Sequence, residues 1–146
     1  MFRGPFPVSW PGQVAVRRDP DWVPDLRSVA ASLPNRLRDS DGIAYADTSW
    51  RERLGLTHEF GSMPRRPRDV FLAVPAQRLG TYAAGECADP HACAADVDRL
   101  WFVTPNTTGD PFADVPPAKA AVLRDEFRIA RDEPYRRVRL LLLTRR

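Results

Sequence analysis

Short apolar runs alternate along the chain with segments whose apolar residues fall at helical spacing. The runs are Gly42-Ile43-Ala44-Tyr45, Asp69-Val70-Phe71-Leu72-Ala73-Val74, Leu100-Trp101-Phe102-Val103 and the closing Val138-Arg139-Leu140-Leu141-Leu142-Leu143. A compact apolar run bounded by turn residues is what a strand covered on both faces requires. Strands are therefore expected at about 43–47, 69–74 and 100–104. Phe127–Asp132 and Arg137–Thr144 read as an antiparallel pair turning near Pro134. Strands alternating with helices predict an α/β fold: a Rossmann-like three-layer sandwich, its sheet mostly parallel and closed by a C-terminal antiparallel hairpin. Such sheets bind ligands beyond the carboxyl ends of their strands.

The intervening segments supply the helices. Leu26, Val29, Ala30, Leu33 and Leu37 share one face of a helix opening near Pro24, with Asp25 in its first turn and Pro34 interrupting it. Asp47-Thr48-Ser49 offers capping oxygens to a short helix from Trp50 that loosens at Gly55. Thr81-Tyr82-Ala83 reads as a short extra strand, 85–93 as a loop and Ala94–Arg99 as a brief helix. Pro116 and Pro117 open a last helix running to about Glu126. Residues 1–20 hold four prolines and two glycines and read as an extended lead-in, leaving 21–146 as a single domain.

Composition narrows the class. With 146 residues, 43% hydrophobic and 28% charged, the chain suits one globular core. Its longest apolar run is far short of the roughly 20 residues that span a bilayer, and Met1–Pro7 lacks the apolar stretch of a signal peptide. Lys119 is the only lysine among 22 basic residues, a bias of the kind that GC-rich genomes impose. A net charge of +3 spread over balanced faces argues against a nucleic-acid partner.

Chemistry is thinly marked. Cys87 and Cys93 are the only cysteines. They read as a disulfide across a Pro-containing loop, as two free thiols, or as zinc ligands with Asp89 and His91, although a second ligand pair is missing. Two histidines, His58 and His91, with no nucleophile elbow, no dinucleotide fingerprint and no phosphate loop, leave no catalytic residue and no cofactor to assign. Asp41, Asp47, Asp69, Glu86 and Asp110 lie near expected strand ends, where carboxylates usually cap turns. If a ligand binds, the loops after the first and third strands should hold it, through Asp47, Ser49, Trp50, Arg51, Asn106 and Asp110. Arg51 suits a carboxylate or phosphate, and Trp50 a sugar ring or simple packing. A stand-alone enzyme or binding protein for a nucleotide or phosphorylated small molecule would use the same rim, and an arginine-rich docking module is a further possibility.

The order of these motifs carries a resemblance. Asp25-Leu26-Arg27, Asp41-Gly42-Ile43-Ala44-Tyr45, Arg51, Phe60 and Arg68-Asp69-Val70-Phe71-Leu72 are followed by Gly80-Thr81-Tyr82-Ala83-Ala84-Gly85-Glu86. Arg99-Leu100-Trp101-Phe102-Val103, a late Phe127 and Val138–Leu142 complete the series. Over most of 13–146 this resembles the carboxyl-terminal soluble domain of actinobacterial GT-C-type glycosyltransferases, mannosyltransferase-like membrane proteins that use polyprenyl-phosphate sugars. The resemblance implies an extracytoplasmic domain with the membrane-embedded part of the same polypeptide as its neighbour, and glycan or polyprenyl-linked sugar as its contact. The family's catalytic acid lies in a membrane-side loop that this sequence does not contain, so an accessory, non-catalytic role is implied for a parent that is a glycosyltransferase. An outside location agrees with a Cys87–Cys93 bridge, and Pro34 departs from a helix the family keeps smooth.

Overall fold

A computed structural model describes residues 21–146, so the expected Pro-rich lead-in lies outside the described residues. The elements in chain order are α1 (Leu26–Ser32), β1 (Gly42–Tyr45), α2 (Trp50–Phe60), β2 (Arg68–Asp69), β3 (Leu72–Val74), α3 (Ala76–Leu79), β4 (Gly85–Glu86), α4 (Pro90–Ala94), β5 (Arg99–Thr104), α5 (Pro117–Glu126), β6 (Phe127–Tyr135) and β7 (Val138–Arg145).

Five strands form one sheet in the order β2-β1-β5-β7-β6, and β3 pairs with β4 in a separate two-stranded sheet. β1 is parallel to both β2 and β5, whereas β7 is antiparallel to both β5 and β6. The expected Rossmann-like sandwich on a mostly parallel sheet is therefore corrected: the sheet is mixed, and its longest ladders are antiparallel. The expected C-terminal hairpin is present: Tyr135 pairs with Val138, so only Arg136 and Arg137 turn the chain between β6 and β7, and a two-residue turn can join only antiparallel strands. The departure is that β7 lies beside β5 and runs antiparallel to it over six residue pairs. The turn places Arg137 at φ 63°.

Alternation along the strands divides the core. Ile43 and Tyr45, Trp101 and Val103, and Leu140 and Leu142 face α1 and α2. Ala44, Leu100, Phe102, Leu141 and Leu143 face the other way, toward Ala94 of α4 and Ala120 and Leu123 of α5. Both faces are covered, which is why these strands read as unbroken apolar runs.

Several boundaries differ from expectation for visible reasons. α1 stops at Ser32, two residues before Pro34, and Asp25 caps it by accepting from Ser28 N at 3.1 Å. α2 does not loosen at Gly55 but runs on to Phe60; Leu26 Cδ1 sits 2.4 Å from where a Cβ on Gly55 would stand, so the glycine admits the packing of α1 against α2. The single strand expected at 69–74 divides into β2 and β3, which belong to different sheets, with buried Val70 and Phe71 between them. Thr81–Ala83 forms no strand, and β4 follows it instead. The helix expected at 94–99 lies earlier, because Asp89 caps Ala92 N at 3.3 Å and Pro90 opens α4.

Candidate functional site

Three parallel strands, β2, β1 and β5, end toward one rim, and the chain leaves β1 there at Ala46 and Asp47. Beside that exit lies a cleft in two lobes. The larger, about 290 Å³, is walled by Trp50, Leu54 and His58 of α2 and by Leu72, Gln77 and Tyr82 of the β3–β4 region. The smaller, about 220 Å³, reaches Ala46, Asp47, Glu86 and Pro116. Trp50, Arg53 and Ala84 border both lobes.

The wall is aromatic. Trp50 opens α2 directly after its N-cap Ser49, so the helix start fixes its position at the lip. Tyr82, on the turn that follows α3, stands with its ring centroid 5.3 Å from that of Trp50 and the two planes tilted by 35°. Tyr82 is 75% exposed. Gly80, at φ 65°, adopts the left-handed conformation that ends α3 and turns the chain toward this position.

The floor is ionic and closed on itself. Arg53, one turn into α2, spans Asp69 at 2.9 and 3.1 Å and Glu86 at 2.6 Å. Lys119 reaches the same Glu86 at 2.8 and 3.0 Å and donates to Tyr45 O. Arg53 comes from the helix on one face of the sheet and Lys119 from the helix on the other, so Glu86 joins the two layers at the tip of β1. Phe71 and Tyr45 add ring faces, 5.1 Å from the Lys119 ammonium and 4.9 Å from the Arg53 guanidinium. Burial pulls the Lys119 ammonium below its ordinary value, opposed by Glu86. Burial also opposes the charge on Arg53, and its bonds to Asp69 and Glu86 outweigh that and raise it. Tyr45 is pushed up, first by burial and then by the Asp69 charge.

The six residues expected to bind ligand divide into two groups. Asp47 and Trp50 line the cleft, whereas Arg51 and the buried Ser49, their neighbours in the chain, line neither lobe. The Asp47 carboxylate is exposed and has no side-chain partner among the described residues, while its backbone N–H donates to Asp114 O. The Arg51 guanidinium lies 5.0 Å from the Trp50 ring centroid and makes no ion pair among the described residues. Ser49 is buried, with an Oγ that has no hydrogen-bond partner among the described residues. Asn106 and Asp110 stand apart from the cleft, because the loop after β5 is tied elsewhere. Asn106 Nδ2 donates to Tyr135 O at 2.8 Å, and Asp110 accepts from Phe112 N at 3.0 Å and pairs with Arg124.

Asp41 is structural. It is 1% exposed, at the opposite end of β1, and accepts from Trp101 Nε1 and Arg99 Nε, each at 2.9 Å. Cys87 and Cys93 form a disulfide that ties β4 to α4 directly beside Glu86, and a disulfide has no thiolate left to bind zinc. Sequence reasoning missed Tyr82 as a site residue and the convergence on Glu86. One signal was present: Lys119 precedes Leu123 by one helical turn, which places it on the buried face of α5.

No protein-family model matches the chain, and no curated protein matches it. Among the described residues, no helix is long and apolar enough to cross a membrane.

Proposed function

We propose that this chain is a non-catalytic accessory domain of a polyprenyl-phosphate-sugar-dependent membrane glycosyltransferase. It works on the extracytoplasmic side and offers the cleft beside Trp50 to a glycan or to a partner. The observation that carries this reading is the closure of the ionic floor. Arg53, Lys119, Asp69 and Glu86 spend their charges on one another, so the cleft is equipped to hold a ligand rather than to exchange protons with it. The ordered motifs supply the family resemblance. The Cys87–Cys93 disulfide suits an oxidising compartment.

A site for nucleotides or phosphorylated molecules has less support. Arg53, the cation that borders both lobes, is already held by two carboxylates. The test is an incubation of the chain with a polyprenyl-phosphate mannose and a mannoside acceptor. No transfer above a protein-free control is expected, and turnover would overturn the reading.

A further inference from the structure

The polar inventory of the cleft narrows what it can hold. On the floor, two cations face two carboxylates. At the lip the Asp47 carboxylate stands without a side-chain partner among the described residues, and Arg51 lines neither lobe. The carboxylates at the cleft therefore outnumber the cations, and an anion is repelled on entry. The remaining polar side chains are the Thr57 hydroxyl, which donates to Arg53 O at 2.6 Å, and the Gln77 amide, the Tyr82 hydroxyl and the His58 ring, these last three on exposed residues and without a hydrogen bond among the described residues. Such groups suit hydroxyls, which both donate and accept.

The walls set the second requirement. Leu54, Leu72 and Pro75 surround the Trp50–Tyr82 corner, whose tilted rings present an open apolar surface. A fully apolar occupant would leave the polar edge of Arg53, Asp69 and Glu86 facing it without hydration, at a cost. An occupant with one apolar face and a polar rim satisfies both surfaces, and a pyranose ring has that form.

We propose that this two-lobed cleft binds a neutral saccharide, with one sugar unit in each lobe and a pyranose face against the Trp50–Tyr82 corner. The inference deepens the accessory-domain reading and rests on it. Asp47 and Gln77 accept and donate hydroxyl hydrogen bonds at the two ends, and Trp50 divides the lobes. A sugar phosphate is disfavoured because Asp47 stands in the smaller lobe.

The experiment is calorimetric titration of the 146-residue chain with maltotriose, mannotriose and cellotriose, and with glucose 1-phosphate and mannose 1-phosphate. At least one trisaccharide should saturate in the millimolar range with little dependence on salt, and more tightly than either sugar phosphate. Tyr82→Ala, at an exposed position that leaves the core intact, should weaken that binding about fivefold or more, whereas Tyr82→Phe keeps the ring and should retain it. Tighter binding of a sugar phosphate, binding indifferent to Tyr82→Ala, or no saturation by any trisaccharide would overturn the proposal. The last result would leave the accessory-domain reading standing, whereas sugar transfer by the chain would remove that reading itself.

Discussion

Arg53 and Glu86 meet at 2.6 Å at the tip of β1, although one belongs to an 11-residue helix and the other to a two-residue strand in a separate sheet. Lys119 shares the same carboxylate from the opposite layer. Removing it would leave two largely buried cations short of an acceptor. Glu86→Ala is expected to cost about 3 kcal/mol, and Glu86→Gln, which keeps one acceptor oxygen, clearly less. Urea denaturation measures both; equal midpoints for Glu86→Ala and the parent chain would contradict the assignment.

The opposite result is expected at Glu52. Its Oε2 is buried without a partner among the described residues, and burial pushes its carboxyl above the ordinary 4.5. A raised carboxyl means that the folded chain holds this proton more tightly than the unfolded one. The resulting stabilisation is present below pH 4.5 and lost as pH rises through the folded value. At neutral pH the group is a burden, so Glu52→Gln should stabilise the chain by about 1 kcal/mol. Denaturant midpoints compared at pH 7 and near pH 4 should show the gain shrinking in acid.

The disulfide joins residues six apart, and a short closed loop of this kind restricts the unfolded chain by about 2 kcal/mol. The double substitution Cys87→Ser with Cys93→Ser should lower the urea midpoint accordingly. It should also loosen Glu86, the neighbour of Cys87, measurable as faster amide exchange at 85–87 than at β5.

His91 and Glu126 give a pH signature at the surface. Nδ1 lies 2.6 Å from Glu126 Oε2, and the hydrogen bond and charge of Glu126 raise the imidazole above its ordinary 6.5. Its contribution to stability is full below pH 6.5 and fades as pH rises through the folded value. Glu126 is lowered, first by His91 and also by Arg145, so its contribution is full above pH 4.5 and fades as pH falls. NMR titration of the His91 ring should give a midpoint above 6.5 that falls toward it in Glu126→Gln. A midpoint at or below 6.5 in the parent chain would contradict the pair.

These contacts mark what local pattern could and could not carry. Leu100–Val103 and Leu140–Leu143 read as strands because both sheet faces are covered, but an apolar run looks the same whichever way its neighbours run. The hairpin turn falls at Arg136-Arg137, two residues later than the one expected at Pro134, and the placement of β7 beside β5 is a tertiary choice that no local pattern marks. Gly55 reads as a break in sequence, yet it lies within α2 where Leu26 needs the space. The lip of the site was legible because Asp47 and Trp50 follow β1 directly. The floor was not, since Arg53, Glu86 and Lys119 are 33 residues apart at each step and are joined only by tertiary packing. Asn106 and Asp110 occupy the expected loop but are held by Tyr135 and Arg124.

The cleft itself is tested most directly by NMR titration of the 146-residue chain with the trisaccharides maltotriose, mannotriose and cellotriose. The Trp50 indole and Gln77 side-chain amide resonances should move saturably with at least one of them while the buried Trp101 indole stays in place. Unmoved Trp50 and Gln77 signals, or shifts gathered instead around Asn106 and Asp110, would contradict the assignment.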